Sequence, residues 1–369
     1  MMNRMVVANL VRRPIRSLIS VLAVMLEVTL ILLVVALCFG ILEDSKKRQS
    51  GIGADVIVQP PGSSNLIGIT SAPLPVKVGD ILKKLPHVTS VAPVMWQLTS
   101  AGSLEVIYGI DLKSYESLGG PFHYLAGGGF EGPNDVLVDD VFAEAKRAKV
   151  GDRVEILNHG FRIAGIVEHG KGARKFLPLA TLQDLTGATG KASVFYVKLD
   201  DPSSADAVVQ EVKAVPGMES YAVRSMREYL SLMTPASLPG FNPFINTVIG
   251  VAMVIGFLVI FQSMYTAVME RTREIGILKA LGASRVYILR VVLRESLVLA
   301  VAGIGLGLLV SAFARAAIVN RIPTIRLQPL TAGWTLRVTV IAIVGALLGA
   351  IYPAIKAARK DPIDALAYE

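Results

Sequence analysis

Apolar residues follow two patterns along this chain. In four runs, 17–42, 244–269, 296–319 and 333–355, they are nearly continuous. A helix needs about 20 apolar residues to cross a bilayer, so each run predicts a spanning helix. Charges inside them are few. The first run holds Glu27, the second none, the third Arg315 near its end and the fourth Arg337 near its start. In 43–243, between the first and second runs, short apolar stretches alternate with polar residues, glycine and proline.

That intervening region reads as a mixed domain. Strands are predicted at 54–59, 88–94, 104–110, 135–138 and 194–199. Helices are predicted at 78–85, 139–148, 180–185, 205–214 and 226–233. Segments 153–157 and 161–168 predict a hairpin around Asn158-His159-Gly160. Strands alternating with short helices point to one lobe of βαβ type and one mainly β. The expected fold is therefore an α-helical membrane protein with four transmembrane helices. An α/β (α+β) extracytoplasmic domain of two lobes is inserted between helices one and two.

Charge sets the orientation. The region 43–243 carries a net −2 and the rest of the chain +10, within a total of +8. The basic residues gather in three short flanks: Arg4, Arg12, Arg13 and Arg16; then Arg271, Arg273, Lys279, Arg285, Arg290 and Arg294; then Lys356, Arg359 and Lys360. Such flanks stay cytoplasmic. This places 1–16, 270–295 and 356–369 inside, and 43–243 and the loop 320–332 outside. Lys46, Lys47 and Arg48 oppose that assignment, but long domains escape the rule. Segment 1–16 is expected to be an amphipathic helix on the cytoplasmic surface, with Arg12, Arg13 and Arg16 among Leu10, Val11 and Ile15. Run 17–42 is too long for a cleaved signal and is followed by no small-x-small site. Leu37 stands where a lipoprotein signal before Cys38 would need a small residue. A hydrophobic content of 53% and a mean hydropathy of +0.56 exclude an ordinary soluble domain. The near-neutral domain excludes a nucleic-acid-binding face.

Candidate chemistry is sparse. Gly127, Gly129 and Gly132 match G-x-G-x-x-G, but Pro133 and a strand follow, with no helix to receive a phosphate. No G-x-x-x-x-G-K-[ST] occurs in these residues. His87, His123, His159 and His169 lack ligand spacing. No catalytic, cofactor-binding or metal-binding residue is therefore expected. Glu27 is expected to make a polar contact between helices. Gly303 with Gly307, and Gly345 with Gly349, are expected to pack helices closely, within the chain or across a dimer.

One short polar segment separates the second and third runs: Glu270-Arg-Thr-Arg-Glu-Ile-Gly-Ile-Leu-Lys-Ala-Leu-Gly-Ala-Ser284. It predicts a surface helix with an apolar face of Ile275, Leu278 and Leu281, decorated by Arg271, Arg273, Glu274 and Lys279. Glu270 and Glu274 at its start and Lys279 near its end suit the helix dipole. Gly282 is expected to stop it in the left-handed conformation, and Ser284 to cap the next helix over 285–295.

This segment resembles the signature of FtsX-like/MacB-type ABC transporter permeases. Gly53-Ala-Asp-Val-Ile-Val58, Leu85-Pro-His-Val-Thr-Ser-Val-Ala-Pro93, Val150-Gly-Asp-Arg-Val154 and Gly165-Ile-Val167 are similar to that family's periplasmic core domain. Residues 352–366 resemble its usual ending. The resemblance covers essentially the whole chain, and it implies a bacterial inner-membrane location. It also implies a homo- or heterodimer of permeases above two ATP-binding subunits, which supply the ATP and Mg. Glu270, Arg271, Arg273, Glu274, Ile275, Gly276, Leu278, Lys279, Leu281 and Gly282 would form the coupling helix that docks on them. ATP turnover would then move the outer domain by mechanotransmission. Without a P-loop the chain resembles the stand-alone permeases, some of which work with a periplasmic adaptor and an outer-membrane channel. The expected task is export or extraction of an amphiphile such as a lipid, lipoprotein, peptide or drug. The alternative is a non-transporting scaffold that activates an envelope hydrolase.

Overall fold

The computed structural model describes residues 14–63, 73–99, 105–237, 240–322, 325–329 and 331–359. Most of the expected amphipathic segment 1–16, and 360–369 of the expected tail, lie outside the described residues. In chain order the elements are α1 (Pro14–Ser50), β1 (Val56–Gln59), β2 (Leu74–Pro75), α2 (Val78–Leu82), β3 (Val88–Thr99), β4 (Glu105–Ile110), α3 (Leu112–Gly119) and β5 (Tyr124–Gly127). Then come β6 (Asp135–Asp139), α4 (Asp140–Lys146), β7 (Arg153–Ile156), β8 (His159–Val167), β9 (Lys175–Pro178), α5 (Leu179–Leu185), β10 (Lys191–Ala192) and β11 (Val194–Leu199). The chain finishes with α6 (Ala205–Lys213), β12 (Ala222–Ser225), α7 (Met226–Ser231), α8 (Phe241–Glu270), α9 (Thr272–Ala280), α10 (Arg285–Arg321) and α11 (Ala332–Arg359). It divides into two compact units, one of residues 1–39, 240–321 and 327–369 and the other of 40–239 and 322–326.

The first unit is a helical bundle. Its helices α1, α8, α10 and α11 are long and apolar enough to cross a membrane, and they contain the four predicted runs. Two are longer than predicted. α1 continues to Ser50, and the expected lead-in 285–295 is the first part of α10. Inside the bundle, Val28, Ile31, Ile260, Ala300, Val338, Ala350 and Ala354 are almost wholly buried. Leu26, Leu258, Leu309, Phe313 and Leu336 point outward, as hydrocarbon allows and water would not.

The second unit is built on a ten-stranded mixed sheet in the order β12-β1-β11-β3-β4-β9-β6-β8-β5, with β7 paired to β8. The two expected lobes share this sheet without a break, but each has its own core. Val56, Val58, Phe195 and Val197 pack with Leu82 of α2 and Val208 and Val212 of α6. Val136, Val138, Phe161, Ile163 and Leu177 pack with Phe142 of α4 and Leu182 of α5. Both lobes thus carry helices, so neither is mainly β.

Side chains alternate across a strand. Trp96, Tyr108 and Tyr196 therefore share the face opposite Met95, Ile107 and Phe195. Trp96 stacks on Tyr108 at 5.7 Å, and Tyr108 meets Phe176 edge-on at 6.1 Å. The last turns of α1 close this face. Gln49 Nε2 donates to Tyr108 Oη at 2.7 Å, and Tyr196 Oη donates to Gln49 Oε1 at 2.8 Å. Nearby, Arg174 bridges Asp44 of α1 at 3.1 Å and Asp139, the N-cap of α4, at 3.4 Å.

Candidate functional site

The polar segment between spans two and three folds as expected in outline. Arg271 breaks the helical backbone (φ −108°, ψ 19°), and α9 begins at Thr272. α9 ends at Ala280, and Gly282 takes φ +94°, which costs a glycine nothing. Ala283 N–H returns to Leu278 O at 3.0 Å and Gly282 N–H to Lys279 O at 3.0 Å, satisfying carbonyls of the last turn. Ser284 Oγ accepts from Tyr287 N–H at 3.2 Å and so caps α10.

Polar contacts fasten this short helix and its junctions to the bundle. Arg16 of α1 donates to the Glu270 carboxylate at 2.8 Å. Arg271 forms a two-pronged pair with Glu295 of α10 at 2.8 and 3.1 Å. Only 4% of the Glu295 side chain is exposed. Bidentate geometry of this kind offsets the cost of taking a carboxylate out of water. Lys279 Nζ donates to Ala358 O at 3.0 Å, at the C-terminal, negative end of α11. α11 is held in turn by Lys356, which donates to Tyr265 of α8 at 2.8 Å.

The faces of α9 differ from the expected ones. Thr272 and Gly276 are buried, and Ile275 and Leu278 pack against the bundle core. Arg273, Ile277, Ala280 and Leu281 point away from it, with Ile277 44% and Leu281 82% exposed, while Glu274 lines the same pocket as Ile275 and Leu278. The predicted docking face of Ile275, Leu278 and Leu281 is therefore not one face. In an α-helix a step of three residues falls about 60° short of a full turn, so two steps slip by about 120°. Ile275 and Leu278 turn to the apolar surface offered by Ile288, Val291 and Val292 of α10. Arg271 and Lys279 are likewise engaged within the bundle. Ile277 was missed, although Arg273, Ile277, Ala280 and Leu281 recur at helical spacing and marked the outer stripe.

The four singled-out glycines all pack within the chain. A Cβ on Gly303 would lie 2.6 Å from Val24 Cβ, and one on Gly307 2.8 Å from Val28 Cβ. Thr29 Oγ1 donates to Gly307 O at 3.3 Å, so α1 and α10 meet almost backbone to backbone. Gly349 of α11 sits on α8, where a Cβ would come within 2.8 Å of Phe257 O. Gly345 is looser, with Met253 as its nearest neighbour at 3.8 Å. Glu27 is 5% exposed and lies over Gly256 of α8, where no Cβ would fit beside it. Its buried Oε1 has no hydrogen-bond partner among the described residues, so the expected polar contact is not formed and the carboxyl packs on the α8 backbone instead.

In the α/β unit a cleft of about 1070 Å³ is lined among others by Leu98, Phe142, Lys146, Arg153 and Lys175. Lys175 there pairs with Glu105 at 2.7 Å and stacks over the Phe142 ring. The histidines go to four separate neighbours: Asp200, Glu168, Asn134 and Asp140 for His87, His123, His159 and His169.

Comparison with known proteins adds a family. The MacB-like periplasmic core domain matches residues 17–215, and the FtsX-like permease C-terminal domain matches residues 246–362. An uncharacterized ABC transporter permease, YknZ of Bacillus subtilis, is 31% identical over 244 residues, covering 61% of this chain and 58% of that protein. A macrolide export ATP-binding/permease protein, MacB of a Shewanella species, is 25% identical over 389 aligned residues, covering 96% of this chain and 58% of that protein. The chain thus spans under three fifths of the length of these relatives. The crystal structure of the periplasmic region of MacB from Actinobacillus actinomycetemcomitans covers 50% of this chain and 94% of that one, at 16% identity and a TM-score of 0.39.

Proposed function

Because the chain belongs to the family of FtsX-like permeases with a MacB-like periplasmic core domain, we propose that it is a coupling subunit driven by ATP hydrolysis elsewhere. As an ABC transporter permease of the MacB/FtsX type, it needs an ATPase. The 369 residues contain no phosphate-binding loop, so ATP and Mg are held outside them, and we assign them to a separate ATP-binding subunit. Two copies of each subunit would assemble in an inner membrane, with α9 and both termini on the cytoplasmic side. Movement of α9 would reach the α/β domain, which would export or extract an amphiphile. An adaptor and an outer-membrane channel would serve it where the envelope has two membranes.

The observation that carries this reading is the outer stripe of α9. Ile277 and Leu281 are exposed among Arg273 and Glu274, on a helix whose other faces are packed into the bundle. An apolar pair flanked by charges on a braced helix suits a protein partner. The test is co-purification of the ATP-binding subunit. Ile277→Arg and Leu281→Arg should each reduce its recovery about tenfold or more, the weight of one interface anchor. Arg290→Gln, on the exposed side of α10, should leave recovery unchanged. Undiminished recovery with both arginine variants would overturn the docking assignment.

A further inference from the structure

The connection between α10 and α11, at the end of the bundle remote from α9, carries basic residues and no acidic one. From Ser296 to Arg359 the chain has no acidic residue, yet Arg315, Arg321, Arg326 and Arg337 lie in or beside the connection between α10 and α11. Topology does not require them, since short outer loops gain nothing from basic residues. Arg315 precedes the last residue of α10 by six positions, and Arg337 is the sixth residue of α11. At 1.5 Å per residue each Cα lies about 8 Å inside its helix end. From there a long cationic side chain reaches the headgroup layer.

Their contacts lead to the same part of α1. Arg315 Nε donates to Leu327 O at 3.3 Å, and the neighbouring Gln328 N–H donates to Ala36 O of α1 at 2.9 Å. Phe39, one turn further along α1, packs edge-on to Trp334 at 5.7 Å, and the Arg337 guanidinium lies over that indole at 5.2 Å. Ala36 and Phe39 share a side of their helix. Arg315, through Leu327 and Gln328, and Arg337, through Trp334, are therefore both linked to one short stretch of α1, and Leu327 is buried. Neither has an acidic partner among the described residues.

A guanidinium at headgroup depth matches phosphate, which accepts two parallel hydrogen bonds from its fork. Tryptophan favours the same depth. Below it, Leu309 and Phe313 of α10 are 68% and 81% exposed, and Leu336 and Val340 of α11 are 66% and 50% exposed. They offer an apolar surface for acyl chains.

We propose that Arg315 and Arg337 form a seat for the phosphate of an anionic membrane lipid, with its acyl chains along α10 and α11. The seat depends on the helices spanning a bilayer and not on the docking role of α9.

The test uses the full chain in detergent, titrated separately with phosphatidylglycerol, phosphatidylcholine and inorganic phosphate. Bound lipid is counted by native mass spectrometry, and the melting temperature is followed in parallel. Wild type should retain phosphatidylglycerol over phosphatidylcholine. The double variant Arg315→Gln/Arg337→Gln should bind phosphatidylglycerol about tenfold or more weakly, as expected for two lost contacts at an anionic surface. Arg290→Gln should match wild type. Should the double variant fail to fold, Arg315→Lys and Arg337→Lys carry the test. They keep the charge but lose the fork, and each should weaken binding severalfold. Unchanged lipid preference in these variants overturns the seat. Stabilisation by inorganic phosphate equal to that by phosphatidylglycerol would make it a free-anion site and overturn the lipid assignment.

Discussion

Single side chains act within each unit in ways that can be measured one at a time. Replacing Arg271 with Ala would leave Glu295, nearly sealed from water, without its two-pronged partner. A loss at the lower end of about 3–5 kcal/mol is expected, because Arg16, 3.9 Å from Glu295, compensates only part of the buried charge. Thermal unfolding in detergent checks it, and the pair Arg271→Met/Glu295→Leu should recover most of the loss. Gln49→Leu would take one hydrogen bond from each of the Tyr108 and Tyr196 hydroxyls inside the aromatic layer and leave them only the bond to each other. It should cost about 1–3 kcal/mol, the desolvation penalty of one orphaned group. Asp139 predicts a pH effect. Burial pushes its carboxyl up to about 6, against the pull of the Arg174 guanidinium and the Phe142 N–H. Between the unfolded value of 3.8 and about 6 the folded chain holds a proton that the unfolded chain has released. This group's contribution is therefore complete below the lower value and lost as pH rises through the upper one. Asp139→Asn should shrink the fall in melting temperature between pH 4.5 and pH 7.

Among the elements, the helix contacts differ in how much they tolerate. Gly303→Leu and Gly307→Leu would force α1 and α10 apart and should each cost about 1–3 kcal/mol or more. Gly345→Ala should be nearly neutral, because Met253 stands at 3.8 Å and a methyl group fits. Chymotrypsin sensitivity of the purified variants would separate the two classes. The membrane helices were readable because hydrocarbon imposes a composition on about 20 consecutive residues. So were strands such as β1 and β11, whose apolar runs are self-evident. The strands β9 and β12 were missed, as were β5 and α3. β9 is Lys-Phe-Leu-Pro and β12 is Ala-Val-Arg-Ser. Four residues carry no period of their own, so only pairing with remote neighbours makes them strands. The hairpin was foreseen with its turn displaced. The left-handed pair is Leu157 and Asn158, and His159 already begins β8, where its ring packs on Phe161 at 5.0 Å. On α9 the caps were legible because they are local. The contact faces were not, because Ile275 and Leu278 answer to α10, which the local spacing does not display.

For the whole molecule, the proposed transporter and the alternative scaffold make different demands on the α/β domain. A transporter should pass an amphiphile at a rate that falls with loss of ATPase recovery across the α9 variants. Reconstituted proteoliposomes holding both subunits would show this directly. Substrate movement that persists in Leu281→Arg while ATPase recovery is abolished would exclude force entry through α9.

Leu281 has one more consequence, which concerns the cell rather than the cycle. A side chain that is 82% exposed beside the 44% exposed Ile277 is comfortable only when something covers it. Under the docking reading, a subunit synthesised without its ATPase displays a greasy flag to chaperones and proteases. Copy number would then be policed by the interface itself. The lone permease should have a shorter half-life in a pulse-chase than the assembled one, and Leu281→Ser should lengthen it.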